Sequence, residues 1–304
     1  MQIGWNGTGV VGRASTEVVT QDMQQAQANG YASYWLADHP SGGFDALTAL
    51  TVAGAQVPNI EIGTAIVPMM PRHPMALAAQ VLTAQQTLDG RLTLGIGLSH
   101  KSFMAELGIG FDKPIRYLRE YLSILMPLLK DGVVEFEGEL LQCRGRIFDR
   151  PMPSTQVVMA ALGPQALKVT GRLADGTILA WTGPKTIKEH IAPTIKEAAA
   201  SAGRPDPRIV ASLPVCVTEQ PDKVRAAIDK SMKMYTALPS YIAMFEREGV
   251  AGPGEVAIVG SEAQVTDQIG VMAEAGTTDF TPTVFAPDAS ERAQTSALLS
   301  QLLA

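Results

Sequence analysis

Short apolar or β-branched runs alternate along the chain with longer amphipathic stretches that end at glycine. A short apolar run favours a buried strand. An amphipathic stretch followed by glycine favours a helix, because glycine tolerates the left-handed conformation found at helix ends. Their alternation is typical of parallel strands joined by crossover helices. Eight runs are predicted as strands: 2–5, 33–37, 60–65, 92–96, 156–160, 177–180, 208–217 and 278–281.

Eight strands are the number that closes a (β/α)8 TIM barrel, an α/β fold of about 250 residues. The 304 residues suit a single barrel domain over 1–304 with insertions. Helices are predicted over 16–29, 74–88 and 187–202, and Ser261 with Gln264 has the spacing of a capping box for another. Pro282 cannot donate a ladder hydrogen bond, so it should end the eighth strand.

Two segments interrupt the alternation, and both are interpreted as insertions at the carboxyl-end mouth of the barrel. Residues 132–141 have hairpin character around Glu137-Gly138. Residues 232–250 interleave aromatic residues and methionines, Tyr235 and Phe245 among them, with charged residues. One interpretation of this second segment is an extra helix that buries one face on the barrel. The other is a lid whose apolar face meets substrate.

Composition and charge indicate a partner that is a small molecule. The formal net charge is -6 and no run of lysine or arginine is present, so the basic surface of a nucleic-acid or anionic-membrane binder is not expected. Cys143 and Cys216 have neither disulfide nor metal-site spacing, which predicts no metal and fits a reducing cytoplasm. The chain begins without a leader-like segment and lacks an apolar run long enough to cross a bilayer, so a cytoplasmic protein is expected.

The second predicted strand ends in two titratable residues, Asp38 and His39. Carboxyl ends of barrel strands carry the chemistry of this fold, and histidine exchanges protons near its unperturbed pKa of about 6.5. We therefore interpret His39 as the catalytic acid or base, with Asp38 contacting a cofactor or tuning the imidazole. Both side chains can share one site only if the strand has ended by Asp38, because adjacent strand residues face opposite ways. The alternative is a helix-capping carboxylate and a surface histidine.

The order of motifs resembles the luciferase-like oxidoreductases over residues 1–275. The motifs are Asp38-His39, Gly63-Thr64-Ala65-Ile66-Val67-Pro68, Arg72-His73-Pro74, Leu94-Gly95-Ile96-Gly97 and Ala160-Ala161-Leu162-Gly163-Pro164. Asp-His after the second strand is similar to the branch of that family that uses the deazaflavin coenzyme F420. Many flavin monooxygenases of the family have other residues there.

The resemblance implies that a tricyclic cofactor lies in the barrel mouth against a bulge of the third strand. It places a non-proline cis peptide bond between Ala65 and Ile66, with the small Gly63 easing the tight backbone. An ordinary trans strand is the alternative. The residues expected to contact the cofactor in this part of the mouth are Asp38, Thr64, Ala65, Ile66, Leu98, Ser99 and Ala180.

The segment after the fifth strand is expected to hold the cofactor's phosphate. Here a helix follows the strand at once, and unpaired amides at a helix start form an anion site. Pro164 suits the first helical position. The candidate residues are Ala160, Ala161, Leu162 and Gly163. An ordinary strand-to-helix turn is the alternative interpretation.

Three departures separate this chain from the sugar-phosphate dehydrogenases that it resembles. His100 stands where they have a glutamate, Gly183 where they have a lysine, and residues 40–43 where they have a tryptophan. These departures predict that glucose 6-phosphate is not the substrate, and the open mouth suits a bulky or apolar one. His100, Tyr235 and Phe245 are the candidates for substrate contact. His100 is interpreted either as a second proton donor or as a solvated loop residue, and His190 is expected to be solvated.

Three functions remain open from the sequence. The first is an F420-dependent oxidoreductase that moves hydride to an activated C=C, C=N or C=O group, or from an alcohol in the reverse direction. The second is an FMN-dependent monooxygenase that uses reduced flavin and oxygen. The third is a barrel that binds a flavin and has lost catalysis. A homodimer formed near residues 74–88 is expected.

Overall fold

The computed structural model describes residues 1–13, 15–38, 45–147 and 154–303. Its central feature is a closed ring of parallel strands. The strands are β1 (Gln2–Ile3 and Trp5–Asn6), β2 (Ser33–Leu36), β3 (Glu61–Thr64 and Val67–Pro68), β4 (Leu92–Gly97), β5 (Gln156–Met159), β6 (Gly176–Ala180), β7 (Arg208–Ser212) and β8 (Asp279–Phe280). The two halves of β1 pair with β8 and with β2, which closes the ring. The predicted TIM barrel is confirmed.

Helices surround the barrel and connect its strands. They are α1 (Thr16–Ala28), α2 (Ala46–Gly54), α3 (Pro74–Thr87), α4 (Lys101–Glu106), α5 (Pro114–Asp131), α6 (Pro164–Leu173), α7 (Pro184–Thr186), α8 (Ala192–Ser201), α9 (Pro221–Ser231), α10 (Pro239–Glu248), α11 (Pro253–Val256), α12 (Glu262–Glu274) and α13 (Ala289–Gln301). A π-helical turn, Ile187–Ile191, joins α7 to α8, and 3-10 turns cover Gly7–Arg13 and Lys233–Ala237. The predicted capping box of Ser261 and Gln264 is present at α12.

Two predicted strands differ in detail from the structure. β3 is interrupted at Ala65 and Ile66, and the run predicted over 208–217 is divided. Its second half, Pro214–Val217, leaves the barrel and joins Ile258–Gly260 and Thr283–Val284 in a separate three-stranded sheet. Because all three strands follow or flank the carboxyl ends of β7 and β8, this small sheet extends the barrel at its mouth side.

The predicted hairpin exists as Val133–Glu137 paired with Gln142–Arg146. It follows α5 and precedes β5, so it begins at the amino-terminal end of the barrel. Its turn reaches back along α5 towards the mouth side, where Glu139 pairs with Lys113 and Arg116 at the start of that helix. A crossover helix delivers the chain to the start of the next parallel strand, and an insertion there begins opposite the mouth. The buried Glu120 carboxylate on α5 accepts the backbone N–H groups of Glu139, Leu140 and Leu141, which fixes the hairpin turn.

The interior of the barrel is filled by Trp35 of β2. A Cβ atom at Gly63 would lie 2.2 Å from the Trp35 ring, so the glycine makes room for the indole. Val158, Ile178 and Val210 complete this inner cluster. The barrel is therefore closed below its mouth by apolar packing, as in other barrels of this size.

A polar cluster lies at the amino-terminal end of the barrel. Arg208 donates to Glu61 and Asp279 at 2.8 and 2.7 Å, beside a cavity of about 670 Å³. Burial alone lowers the pKa of Arg208, but hydrogen bonds to Asp279 and Glu61 outweigh it and raise that pKa above its ordinary value. Since chemistry in this fold sits at the opposite end, we assign this cluster to stability.

Candidate active site

The peptide bond between Ala65 and Ile66 is cis, as the resemblance implied. The backbone around it is held by β2: Ala65 N–H donates to the Leu36 carbonyl at 2.8 Å, and Asp38 N–H donates to the Ile66 carbonyl at 3.2 Å. Both residues are half-buried and pack, together with Ala160, against the Trp35 cluster. Three residues expected to contact the cofactor therefore form one small apolar floor at the mouth.

The residue that makes room for this bulge is Gly95 of β4. A Cβ atom at Gly95 would lie 1.8 Å from the Thr64 carbonyl oxygen. The buried Thr64 hydroxyl donates to the Gly95 carbonyl at 2.7 Å and accepts the Gly95 N–H at 2.8 Å. Gly63, which we expected to ease the bulge, makes room for the Trp35 ring instead. Thr64 is buried, and both hydrogen bonds of its hydroxyl are made to the backbone of β4, so the side chain is not available to a cofactor.

Asp38 lies at the carboxyl end of β2 and is buried. Its Oδ2 accepts Nη2 of Arg72 at 3.0 Å, and the same Nη2 also donates to Asp45. The backbone carbonyl of Arg72 is held in turn by the Tyr121 hydroxyl at 2.9 Å. Arg72 was not among the predicted site residues, because it lies 34 residues from Asp38 along the chain. His39, the proposed acid or base, lies outside the described residues.

The loop after β4 brings Leu98, Ser99 and His100 to the mouth. Ser99 has a positive φ of 64°, which turns the chain sharply between the strand and α4. His100 is half-buried, and its ring lies 5.5 Å from Phe103 and 5.7 Å from Tyr241. The solvated-loop interpretation of His100 is therefore wrong.

His100 is the start of a continuous row of aromatic rings, which we call the aromatic wall. It consists of His100, Tyr241, Tyr235 and Trp181, with Phe103 beside His100. Tyr235 lies 5.0 Å from both Tyr241 and Trp181, in an edge contact with the former. Burial, then the neighbouring Tyr235, raises the pKa of Tyr241 above its ordinary value, so its phenol stays neutral. The wall includes two of the three predicted substrate-contact residues.

The remaining candidates at this side of the mouth differ in position. Ala180, the last residue of β6, is half-buried and is followed directly by Trp181. Phe245 is buried in the main hydrophobic core, one helical turn beyond Tyr241 on α10. The structure thus gives Phe245 a packing role in the wall's supporting helix and does not bring it into the wall.

The segment after β5 leads directly into α6, as expected. Gly163 is the N-cap of this helix and supplies no side-chain cap, and a Cβ atom there would meet open space. Ala161 is buried, backbone included, and its carbonyl accepts the Thr177 hydroxyl, so it supports this segment from the barrel side. Backbone amides at the start of α6 thus face an accessible region, which suits an anionic group.

His190 supports this same segment. It was expected to be solvated, but it is buried, and its Nε2 lies 2.8 Å from the Leu162 carbonyl. A carbonyl can only accept, so Nε2 carries the proton. His190 lies in the π-helical turn between α7 and α8, and such turns are rare and often occur at functional sites.

Neither a metal-site cluster nor a membrane-spanning helix is present among the described residues. Within the described ranges, no group of three or more His, Cys, Asp and Glu side chains has the arrangement of a metal site. None of the helices in the described part of the chain is both long enough and apolar enough to cross a bilayer.

Comparison with known proteins identifies the family. A profile described as luciferase-like monooxygenase matches residues 5–279. The chain is 26% identical over 246 residues to 5,10-methylenetetrahydromethanopterin reductase of Methanopyrus kandleri, covering 75% of this chain and 70% of that protein. It is 26% identical over 253 residues to F420-dependent glucose-6-phosphate dehydrogenase of Nakamurella multipartita, covering 79% and 74%.

Solved structures show the same fold along nearly the whole chain. Coenzyme F420-dependent tetrahydromethanopterin reductase from Methanopyrus kandleri aligns with a TM-score of 0.80 at 21% identity, covering 99% of this chain and 98% of that one. A type II Baeyer-Villiger monooxygenase of Pseudomonas putida in complex with FMN aligns with a TM-score of 0.78 at 18% identity, covering 100% and 98%. Given the profile match, the chain belongs to the luciferase-like monooxygenase family.

Proposed function

We propose that this protein is an F420-dependent oxidoreductase that transfers hydride between the deazaflavin and an organic substrate. The observation that carries the proposal is the apolar floor that Ala65 and Ile66 of the β3 bulge form with Ala160 at the barrel mouth. This floor is apolar, small and bound to both neighbouring strands, as a flat ring system requires. Two relatives at 26% identity bear on the cofactor: one is named F420-dependent, and the other is a methylenetetrahydromethanopterin reductase.

The residues of the mouth fit the two ends of such a cofactor. Ala65, Ile66 and Ala160 would lie against the ring, and Leu98 with Ser99 would border it. The phosphate would be held by backbone amides at Gly163 and the start of α6, where a side chain at position 163 is absent and space is open. When bound, F420 carries two electrons and a proton as hydride.

The protein's own chemical task is the movement of a proton. Reduction of a C=O, C=N or C=C group by hydride places the electron pair on the second atom of that bond, which then takes a proton. We propose His39 as the group that donates this proton, or removes it in alcohol oxidation. Asp38 would hold the imidazole. Arg72, 3.0 Å from Asp38, keeps that carboxylate fixed and stabilises its ionised form.

The alternative is an FMN-dependent monooxygenase. It is favoured by one observation, the close structural likeness to an FMN-bound enzyme. The two cofactors share a tricyclic ring and a phosphate, so the floor suits both. Asp38-His39 after β2 and the F420-dependent relative are the reasons that we place F420 first.

A binding experiment separates these functions. Purified protein is titrated with F420 and, separately, with FMN, and cofactor fluorescence is followed. We expect micromolar binding of F420 and at least tenfold weaker binding of FMN. The opposite preference would replace the proposal with the monooxygenase, and binding of neither would contradict both.

We further propose a cytoplasmic homodimer that associates through α3. Its exposed positions include Ala76, Ala79 and Thr83, which leave a flat surface of small side chains. Sedimentation velocity of the protein and of Ala79→Arg tests this proposal. A dimer that becomes a monomer in the variant would support it, and a wild-type monomer would contradict it.

A further inference from the structure

The aromatic wall stands over the ends of adjacent barrel strands. His100 follows β4 and Trp181 follows β6. Between these two strands lies β5, which is followed by Ala160 of the proposed floor and by the proposed phosphate segment. Tyr235 and Tyr241 come from the 3-10 turn and α10 and connect the two. The wall therefore faces the region in which a substrate would meet the proposed cofactor.

Trp181 has a conformation that its own side chain disfavours. Its φ is 56°, in the left-handed region that bulky residues rarely adopt, and the residue is nevertheless buried. The turn is held by the Thr182 hydroxyl, which donates to the Ala180 carbonyl at 3.1 Å, and by the Tyr235 ring. Such residues cluster at ligand-binding sites, where the surrounding structure enforces them. The indole is thus held in one place by several contacts.

A fixed negative charge lies next to this wall. The Glu248 carboxylate accepts the backbone N–H groups of Lys185 and Thr186 at 3.1 and 2.8 Å. A Cβ atom at Gly183 would lie 2.3 Å from the Glu248 carboxylate carbon, so a side chain there would displace this carboxylate. Glu248 therefore occupies the backbone N–H groups of Lys185 and Thr186, in the first helical turn after β6, and adds a carboxylate there.

We propose that the substrate is an uncharged molecule with an aromatic or extended apolar face that stacks on the aromatic wall, and that Glu248 excludes phosphorylated and carboxylated compounds. This inference rests on the proposed function, because it takes the wall to border the place of hydride transfer. The side chains of Lys101 and Lys185 are exposed to solvent and do not line the wall. Stacked rings contribute about 0.5–1.5 kcal/mol each beyond burial of area, which is roughly a two- to tenfold change in affinity.

A matched pair of probes tests the inference. The neutral enone 4-phenylbut-3-en-2-one and its para-carboxylate have the same ring and the same reducible bond but differ in charge. Their binding is measured by equilibrium dialysis, both with and without F420. We expect the neutral probe to bind at least about tenfold more tightly than the carboxylate.

Three variants assign the effect to particular residues. Tyr235→Leu removes a ring of the wall and should weaken the neutral probe about fivefold. Tyr117→Leu removes a half-buried tyrosine that contacts Tyr121 on α5, and it should leave binding unchanged. Glu248→Gln keeps an acceptor oxygen but removes the charge, so it should strengthen binding of the carboxylate about tenfold and leave the neutral probe unchanged.

The outcomes separate this inference from the proposed function. Equal or tighter binding of the carboxylate, or equal effects of Tyr235→Leu and Tyr117→Leu, would overturn the inference. If the preference for the neutral probe is found while F420 fails to bind, the cofactor assignment falls and the preference of the wall stands. If F420 binds and the preference for the neutral probe is absent, the cofactor assignment stands and the inference about the wall falls.

Discussion

Replacing Gly95 with alanine tests the construction of the cofactor floor. The added Cβ would lie 1.8 Å from the Thr64 carbonyl oxygen, whereas real Cβ atoms essentially never come within 3.0 Å of a heavy atom. The carbonyl must therefore move by about 1.2 Å, and it belongs to the backbone directly before the bulge. No side-chain rotation can relieve this contact.

The cost can be worked out from the contacts that this movement breaks. Thr64 makes two hydrogen bonds with the Gly95 backbone, each contributing a net of about 0.5–1.5 kcal/mol. Overpacking in a core adds about 1–3 kcal/mol. We expect Gly95→Ala to lower the free energy of unfolding by about 2–6 kcal/mol, which is a decrease in Tm of roughly 3–9 °C.

Urea unfolding and thermal unfolding measure this effect against a control. Gly270→Ala is the control, because its Cβ meets no atom within 4 Å and it lies inside α12, where alanine is favoured over glycine. If Gly95→Ala leaves the urea midpoint within the range of the control, the close approach of β4 to the bulge does not exist as described. If the Gly95→Ala variant fails to bind F420 at a temperature at which it is still folded, this loss would further link the bulge to the cofactor.

Four further predictions follow from other parts of the structure. Arg208→Met leaves two carboxylates without their cation and should reduce the free energy of unfolding by about 3–5 kcal/mol, as measured in urea. Glu120→Leu removes the acceptor of three backbone N–H groups and should cost about 3 kcal/mol, with faster proteolysis at the hairpin turn. His190→Leu removes the hydrogen-bond partner of the Leu162 carbonyl, so it should weaken F420 binding about tenfold. A deazaflavin without the phosphate should bind as before, and equal losses for both ligands would indicate a general packing defect. Burial, then Glu291, raises the pKa of Cys216 to about 11, so a thiol reagent at pH 8 should react with it only after unfolding. Because the thiol has a higher pKa in the folded protein, its protonated form stabilises the folded state. This contribution to the free energy of unfolding is fully present below the unfolded pKa of about 9 and is lost as pH rises toward 11.

The barrel could be predicted from the sequence because most of its strands lie in short apolar runs that are largely buried. Leu92–Gly97 is an example, since all of its residues are buried. The hairpin was also visible, because two short runs flank Glu137-Gly138. Its course along α5 was not, since it depends on ion pairs and hydrogen bonds from the turn to α5, such as those of Glu120.

The candidate site was predicted less completely, for physical reasons. The cis bond at Ala65–Ile66 came from the resemblance alone, because Gly95, which makes room for it, is on the next strand. Arg72 and Glu248 act on groups 34 and 62 residues away along the chain, and no local pattern encodes such pairs. Tyr241 and Phe245 have equivalent local patterns on α10, yet one joins the wall and the other packs in the core.

The central claim is that F420 binds at the barrel mouth on the floor of Ala65, Ile66 and Ala160. A crystal structure of the protein with F420 tests this most directly. We predict that the deazaflavin ring lies against Ala65, Ile66 and Ala160, with the phosphate at Gly163 and the start of α6. A ring bound elsewhere, or a phosphate held away from α6, would contradict the account.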